Sequence, residues 1–207
     1  MMKLILTSSN NYVVKDWIQY IDRDPKTMKV TFIFTAAEVE KGDMQWLDDD
    51  RQALVDVGFN VIDYTLTGKT KVDVEKMLSE TDMVFVSGGN TFYLLQEMRK
   101  SGFVDLIRSH VEKGLVYGGS SAGSVVAGPD ISVCKQMDDP LAAPELTSYE
   151  GLGLTDVVTL PHWGSEHFAE RYPKTMLDVY KEGLKIMLLT NQQYLLVEDD
   201  MYRILSV

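Results

Sequence analysis

Gly119-x-Ser121-x-Gly123 constrains this chain more than any other stretch. An apolar run, Leu115-Val116-Tyr117, leads into Gly118-Gly119-Ser120-Ser121-Ala122-Gly123 and then into Ser124-Val125-Val126-Ala127-Gly128, which can be helical. This is the spacing of a nucleophile elbow, a serine at a sharp strand-to-helix turn. The backbone folds back on itself there, so the neighbours must lack bulky side chains. The hydroxyl then projects from the turn, and the next amide, that of Ala122, points to where an oxyanion would form. A following helix adds partial positive charge from its N-terminus. The same letters also fit a plain Gly/Ser turn.

The surroundings favour a particular fold class. Lys3–Thr7, Lys29–Phe34, Asn60–Tyr64, Met83–Ser87 and the run before the elbow read as five strands. Between them lie helical patterns, over roughly Val13–Ile21, Asp43–Val57, Val72–Leu78, Thr91–Arg99 and Phe103–Glu112. Strands alternating with helices imply a three-layer α/β fold with a mostly parallel sheet. Sites in such sheets form at the carboxyl ends of strands. Both Gly88-Gly89-Asn90 and the elbow fall there, so the two loops can face one crevice.

Beyond Gly128 the pattern loosens. Asp130–Gly153, with Pro140, Pro144 and Asp138-Asp139, reads as a long loop, and loops of that length in compact domains are often functional. Asp156–Leu160 is a short strand delivering Pro161-His162-Trp163, and Tyr172–Glu182 is helical. Lys185–Thr190, Gln193–Val197 and Met201–Val207 read as closing strands. With 207 residues and no linker or repeat, residues 1–207 are expected to form a single domain. A net charge of −11 repels phosphate backbones, which argues against a nucleic-acid partner. The lone Cys134 fits a reducing compartment, and no apolar run reaches membrane-spanning length. The expectation is a cytoplasmic protein without a membrane partner.

A serine hydroxyl needs a base. Of the three histidines, His110 lies in the helix before the fifth strand, on the wrong side of the sheet. His162 follows a strand and a proline, where a base for Ser121 is needed, and His167 can share its loop. Gly89 suits the second oxyanion donor, because a side chain there would keep the backbone from a reacting carbonyl. His162, Glu166 and His167 do not make a helical H-E-x-x-H, and no cysteine cluster exists, so no metal is expected.

In order and spacing, Gly88-Gly89-Asn90-Thr91, Tyr117–Gly123 and Pro161-His162 resemble the peptidase E family, serine dipeptidases that cleave after an N-terminal aspartate and are related to cyanophycinases. The resemblance covers most of the chain. It implies a fold like class I glutamine amidotransferases (flavodoxin-like), with serine replacing their cysteine. It also implies Ser121 as nucleophile, His162 as base, the Gly89 and Ala122 amides as oxyanion hole, and no cofactor. Gly88, Asn90, His167 and Arg171 are expected to line the side that binds a short peptide, with Arg171 or Lys174 pairing a substrate carboxylate. The chain is expected to be a monomer or homodimer.

The chain departs from that family at the third triad member. The family carries glutamate in a Pro-Glu-Gly turn, where Thr190-Asn191-Gln192 stands here. An aspartate the family can carry about fifteen residues after the nucleophile is Gln136 here, with Asp138 and Asp139 close by. The third residue must accept a hydrogen bond from the imidazole. Asn191 can do so without charge, and Asp138 or Asp139 are the alternatives. Two other functions compete with a peptidase. An α/β-hydrolase-type esterase would share the order Ser121, Asp138 or Asp139, His162, although three strands follow His162 here. A non-catalytic binder of small peptides or amino acids would keep the crevice and lack the chemistry.

Overall fold

The computed structural model describes residues 2–207. Its main sheet is assembled from β1 (Lys3–Thr7), β2 (Lys29–Ile33), β3 (Asn60–Tyr64), β4 (Met83–Val86), β5 (Val116–Ser120), β8 (Gln193–Glu198) and β9 (Met201–Ser206), in the order β3-β2-β4-β5-β1-β8-β9. The five strands from β3 to β1 are mutually parallel. β8 runs antiparallel to β1, and β9 antiparallel to β8. A separate parallel pair is formed by β6 (Val158–Leu160) and β7 (Ile186–Leu188). The first of the three closing runs therefore stands apart: β7 pairs with β6, and only β8 and β9 extend the main sheet.

The side chains explain why helices cover both faces. β1 is buried throughout, as a strand covered on two sides must be. Its Leu4 and Leu6 join Val84, Val86 and Tyr117 in one core, with α3 (Lys71–Ser79), α4 (Thr91–Lys100), α5 (Phe103–Glu112) and α6 (Ala122–Val126). Ile5, between them, joins Val30, Phe32 and Phe85 in a second core, under α1 (Asn10–Trp17) and α2 (Gln45–Asp56). Period-two alternation along β1 thus divides the apolar residues between two faces. The remaining helix, α7 (Tyr172–Glu182), follows β6.

Several boundaries differ from the sequence pattern, those of the first helix by the most. The first helix begins at Asn10, not Val13, and ends at Trp17 before a short 3₁₀ turn at Ile18–Tyr20. Tertiary contacts set that start, since the Asn10 side chain donates to the Asp50 carbonyl and accepts from Trp17 Nε1. Asp130–Gly153 is irregular as expected, with 3₁₀ turns at Ser132–Gln136 and Pro140–Ala142. Among the described residues, no helix is long and apolar enough to cross a membrane.

Strand order positions the site. Val86 of β4 lies opposite Gly119, and Thr7 of β1 opposite Ser120. The residues that follow these strands, Ser8, Gly88 and Ser121, therefore emerge side by side at one end of the sheet. β8 enters antiparallel with Tyr194 opposite Thr7, which brings the turn before it, Asn191 included, to that same end.

Candidate active site

Ser121 occupies a conformation that L-residues rarely adopt, φ 48° and ψ −111°, between the last residue of β5 and the first of α6. Its neighbours explain how it is held. A Cβ on Gly119 would lie 2.5 Å from the Gly123 carbonyl carbon, and one on Gly123 would lie 2.1 Å from the Val86 oxygen. Neither position has room for any other residue. The turn is anchored by Ser121 N–H to Thr7 O (3.1 Å), Gly123 N–H to Ser87 O (3.2 Å) and Tyr117 Oη–H to Gly123 O (2.7 Å). Energy of order 1–3 kcal/mol is stored in such a backbone, and the surroundings must over-determine it. α6 has only five residues, so the dipole contribution expected from the sequence is small.

His162 arrives from the other direction, carried by β6 through Pro161. It too has a positive φ, 64°. Its ring stacks on Phe168 at 4.8 Å. Tyr172 Oη donates to the Pro161 carbonyl, and Trp163 N–H donates to Leu189 O (2.9 Å). His162 Nε2 stands 2.9 Å from Ser121 Oγ, while Nδ1 stands 2.7 Å from Asn191 Oδ1. An amide oxygen only accepts, so Nδ1 carries the proton and Nε2 turns a lone pair to the serine. Burial holds the imidazole below the usual histidine range; the Asn191 hydrogen bond opposes this, and nearby His167 adds to it. The ring is consequently neutral at pH 7, the state a base requires.

Asp138 and Asp139 are engaged elsewhere. Asp138 Oδ2 accepts from Thr91 N–H (2.8 Å), and burial pushes its carboxyl up to about 6. Asp139 Oδ1 accepts from Leu141 N–H, capping a 3₁₀ turn. Gln136 donates to Asp178 on α7 (3.3 Å). The structure thus brings Asn191, and neither aspartate, to the imidazole. Gly89 has φ 123°, and a Cβ there would lie 2.3 Å from Ala36 O. The Gly89 and Ala122 amides have no hydrogen-bond partner among the described residues.

These groups open onto a crevice of about 1180 Å³ that includes Gly88, Gly89, Asn90, His167 and Arg171. Asn90 is largely occupied with structure: Oδ1 accepts from Tyr93 N–H to cap α4, and Nδ2 donates to Asp139 O. Arg171 donates from Nη1 to Met137 O (2.8 Å) and lies over Phe168. Lys174 is exposed and is not part of the crevice lining. His110, 3.3 Å from Glu75, is remote from the site. Among the described residues, no group of three or more His, Cys, Asp or Glu gathers to hold a metal.

Two polar residues had no distinguishing sequence signal. Ser8 Oγ accepts from His162 N–H (2.7 Å) and donates to Asn191 Oδ1 (2.9 Å). Asp50 Oδ2 accepts from Ser120 Oγ (2.5 Å), and its Oδ1 accepts from Asn11 N–H (2.9 Å). Burial pushes the Asp50 carboxyl up to about 6 against those hydrogen bonds. Only the assembled sheet brings either residue beside the serine turn.

The chain is similar to known peptidases. The profile of peptidase family S51 matches residues 4–205. The uncharacterized peptidase Lin0382 of Listeria innocua is 34% identical over 200 residues, covering 97% of this chain and 94% of that protein. A protein named probable alpha-aspartyl dipeptidase, from Drosophila melanogaster, is 40% identical over 126 residues, covering 58% of this chain and 49% of that one. The crystal structure of a "Putative Peptidase E Protein" from Listeria monocytogenes EGD-e superposes with a TM-score of 0.92 at 30% identity, over 100% of this chain and 99% of that one. The chain belongs to peptidase family S51 and is a serine-type peptidase.

Proposed function

We propose that this chain hydrolyses dipeptides through a nucleophile elbow at Ser121, on a fold of the class I glutamine amidotransferase type. As Ser121 Oγ attacks the scissile carbonyl carbon, its proton passes to His162 Nε2. The carbonyl oxygen, now negative, takes hydrogen bonds from the Gly89 and Ala122 amides. The imidazolium then protonates the leaving amine, the C–N bond breaks, and an acyl ester remains on Ser121. Water enters, gives a proton to Nε2 and attacks the ester; collapse returns that proton to Ser121 Oγ and releases the acid. Asn191 holds the Nδ1–H tautomer throughout and, being neutral, stabilises the imidazolium less than a carboxylate would. The loss for a neutral third member reaches about 10⁴ in rate where it also misdirects the tautomer. Here the tautomer is right, so the penalty is smaller.

The observation that carries this reading is the chain Ser121 Oγ, His162 Nε2–Nδ1, Asn191 Oδ1, at 2.9 and 2.7 Å. For substrate preference we follow the aspartyl dipeptidases. The crevice sets Lys41 and Arg171 against Glu38, Glu40, Asp49, Asp50, Asp138 and Asp139. An N-terminal aspartate would place its side chain on Arg171 and its ammonium among the carboxylates. A panel of Asp-Leu, Asn-Leu, Ala-Leu and Lys-Leu tests both levels. Hydrolysis of Asp-Leu above the rest, abolished by Ser121→Ala, is expected, and Arg171→Ala should remove the preference. A Ser121→Ala chain as active as wild type would refute the mechanism. Turnover spread evenly over the panel would refute the specificity alone.

A further inference from the structure

A neutral third residue creates a difficulty that a carboxylate does not have. Either oxygen of a carboxylate accepts, so a histidine facing it must present N–H. An asparagine amide can turn over and present NH₂ instead. The imidazole would then take the proton on Nε2, the nitrogen facing Ser121, and could not act as a base. Some other group has to keep the oxygen of Asn191 on the histidine side.

Ser8 meets that need. It directly follows β1 and is fully buried. Its Oγ lies 2.9 Å from Asn191 Oδ1, 2.7 Å from the His162 backbone nitrogen and 3.3 Å from His162 Nδ1. The hydroxyl has one proton to donate. With the Asn191 oxygen inward, that proton goes to Oδ1, which accepts from both Ser8 and Nδ1–H, and every group is satisfied. With the amide reversed, the buried hydroxyl proton must compete with the Asn191 NH₂ for a single Nδ1 lone pair, and one buried donor goes unpaired. Leaving a buried donor unpaired disfavours the reversed amide by at least about 5-fold. The same oxygen accepts the amide of His162, whose φ of 64° needs such an anchor.

We propose that Ser8 is a positioning residue: by donating to Asn191 Oδ1 and accepting from His162 N–H, it holds the asparagine oxygen toward Nδ1 and the imidazole in the tautomer that can deprotonate Ser121. The proposal rests on the reading of Ser121 and His162 as nucleophile and base. It explains how a triad with an uncharged member keeps a defined proton arrangement. It also gives Ser8 a role that depends on what stands at position 191.

That dependence supplies the test. The rate at which a fluorophosphonate labels Ser121 is measured for Ser8→Ala and Ser8→Thr, each in the parent chain and in Asn191→Asp, with melting temperatures alongside. In the parent, Ser8→Ala should slow labelling at least about 10-fold, as loss of a buried hydrogen bond predicts, and Ser8→Thr, which keeps the hydroxyl, should recover most of it. In Asn191→Asp the carboxylate fixes the tautomer unaided, so the Ser8→Ala loss should shrink at least about 5-fold, a coupling of the kind double-mutant cycles resolve. Should Ser8→Ala fail to fold, Ser8→Cys, a weaker donor, must show the same background dependence. Equal losses in the two backgrounds, or no loss in either, would overturn the role of Ser8 and leave the serine–histidine pair standing. A parent chain that takes no label at all would take down both.

Discussion

The two halves of the site are held by different physics. The Ser121 half belongs to the main parallel sheet, and its shape is imposed by volume. Gly119 and Gly123 sit where a single extra carbon would fall 2.5 Å or less from backbone atoms. The His162 half is carried by a pair of three-residue strands outside that sheet, and its shape is imposed by hydrogen bonds to Ser8 and Asn191 and from Tyr172. Steric restraint tolerates no substitution and fails by unfolding. Polar restraint tolerates substitution and fails by misdirecting a proton. Mutations in the two halves should therefore separate stability from rate.

The largest effect tests whether the halves act as one machine. Ser121→Ala and His162→Ala are each expected to lower kcat by about 10⁶, and the double variant by no more than either alone, since groups acting as a unit are strongly non-additive. Additive losses would mean that the histidine serves some other purpose. Next comes the polar half: Asn191→Ala should cost about 10²- to 10⁴-fold in kcat with little change in melting temperature, while Asn191→Asp should retain or raise the rate. On the steric half, Gly123→Ala should cost at least about 3 kcal/mol in urea unfolding, because the new methyl meets the Val86 carbonyl. If Gly123→Ala left stability intact and Asn191→Ala unfolded the chain, the contrast would be reversed.

Smaller effects concern protons. In the proposed mechanism the neutral form of His162 is the active one, and burial depresses its pKa, so the acid limb of kcat/KM should fall below pH 6.5. Asp50 shifts the other way, from 3.8 up to about 6. Its folded form binds a proton more tightly than the unfolded form, so its contribution to stability is full below pH 3.8 and is lost as pH rises through about 6. The difference is on the order of 3 kcal/mol. Comparing Asp50→Asn with wild type at pH 5 and pH 7.5 should show wild type gaining relative stability at the lower pH.

Steric restraint was also the part legible in the sequence. Glycines at fixed offsets around Ser121 announce a tight turn, because excluded volume acts between near neighbours in the chain. The strand and helix pattern was legible for the same reason: burial alternates along β1 and recurs along the helices. Pro161-His162 could be placed at a strand end by local pattern alone. Ser8 and Asp50 could not, since they act on residues 154 and 70 positions away. Nothing in Thr7-Ser8-Ser9 distinguishes the middle serine. The candidacy of Asp138 and Asp139 shows the same limit. Their charge suits a histidine partner, and only the assembled fold commits Asp138 to the Thr91 amide. Pairing of β7 with β6 was likewise hidden, because a three-residue apolar run does not state which sheet it joins.

The serine–histidine contact is tested most directly by mass spectrometry of the chain after treatment with a fluorophosphonate. One adduct per chain is expected, mapped to Ser121, and lost in His162→Ala at unchanged melting temperature. An adduct on another residue, or labelling of Ser121 that proceeds equally well in His162→Ala, would contradict the account.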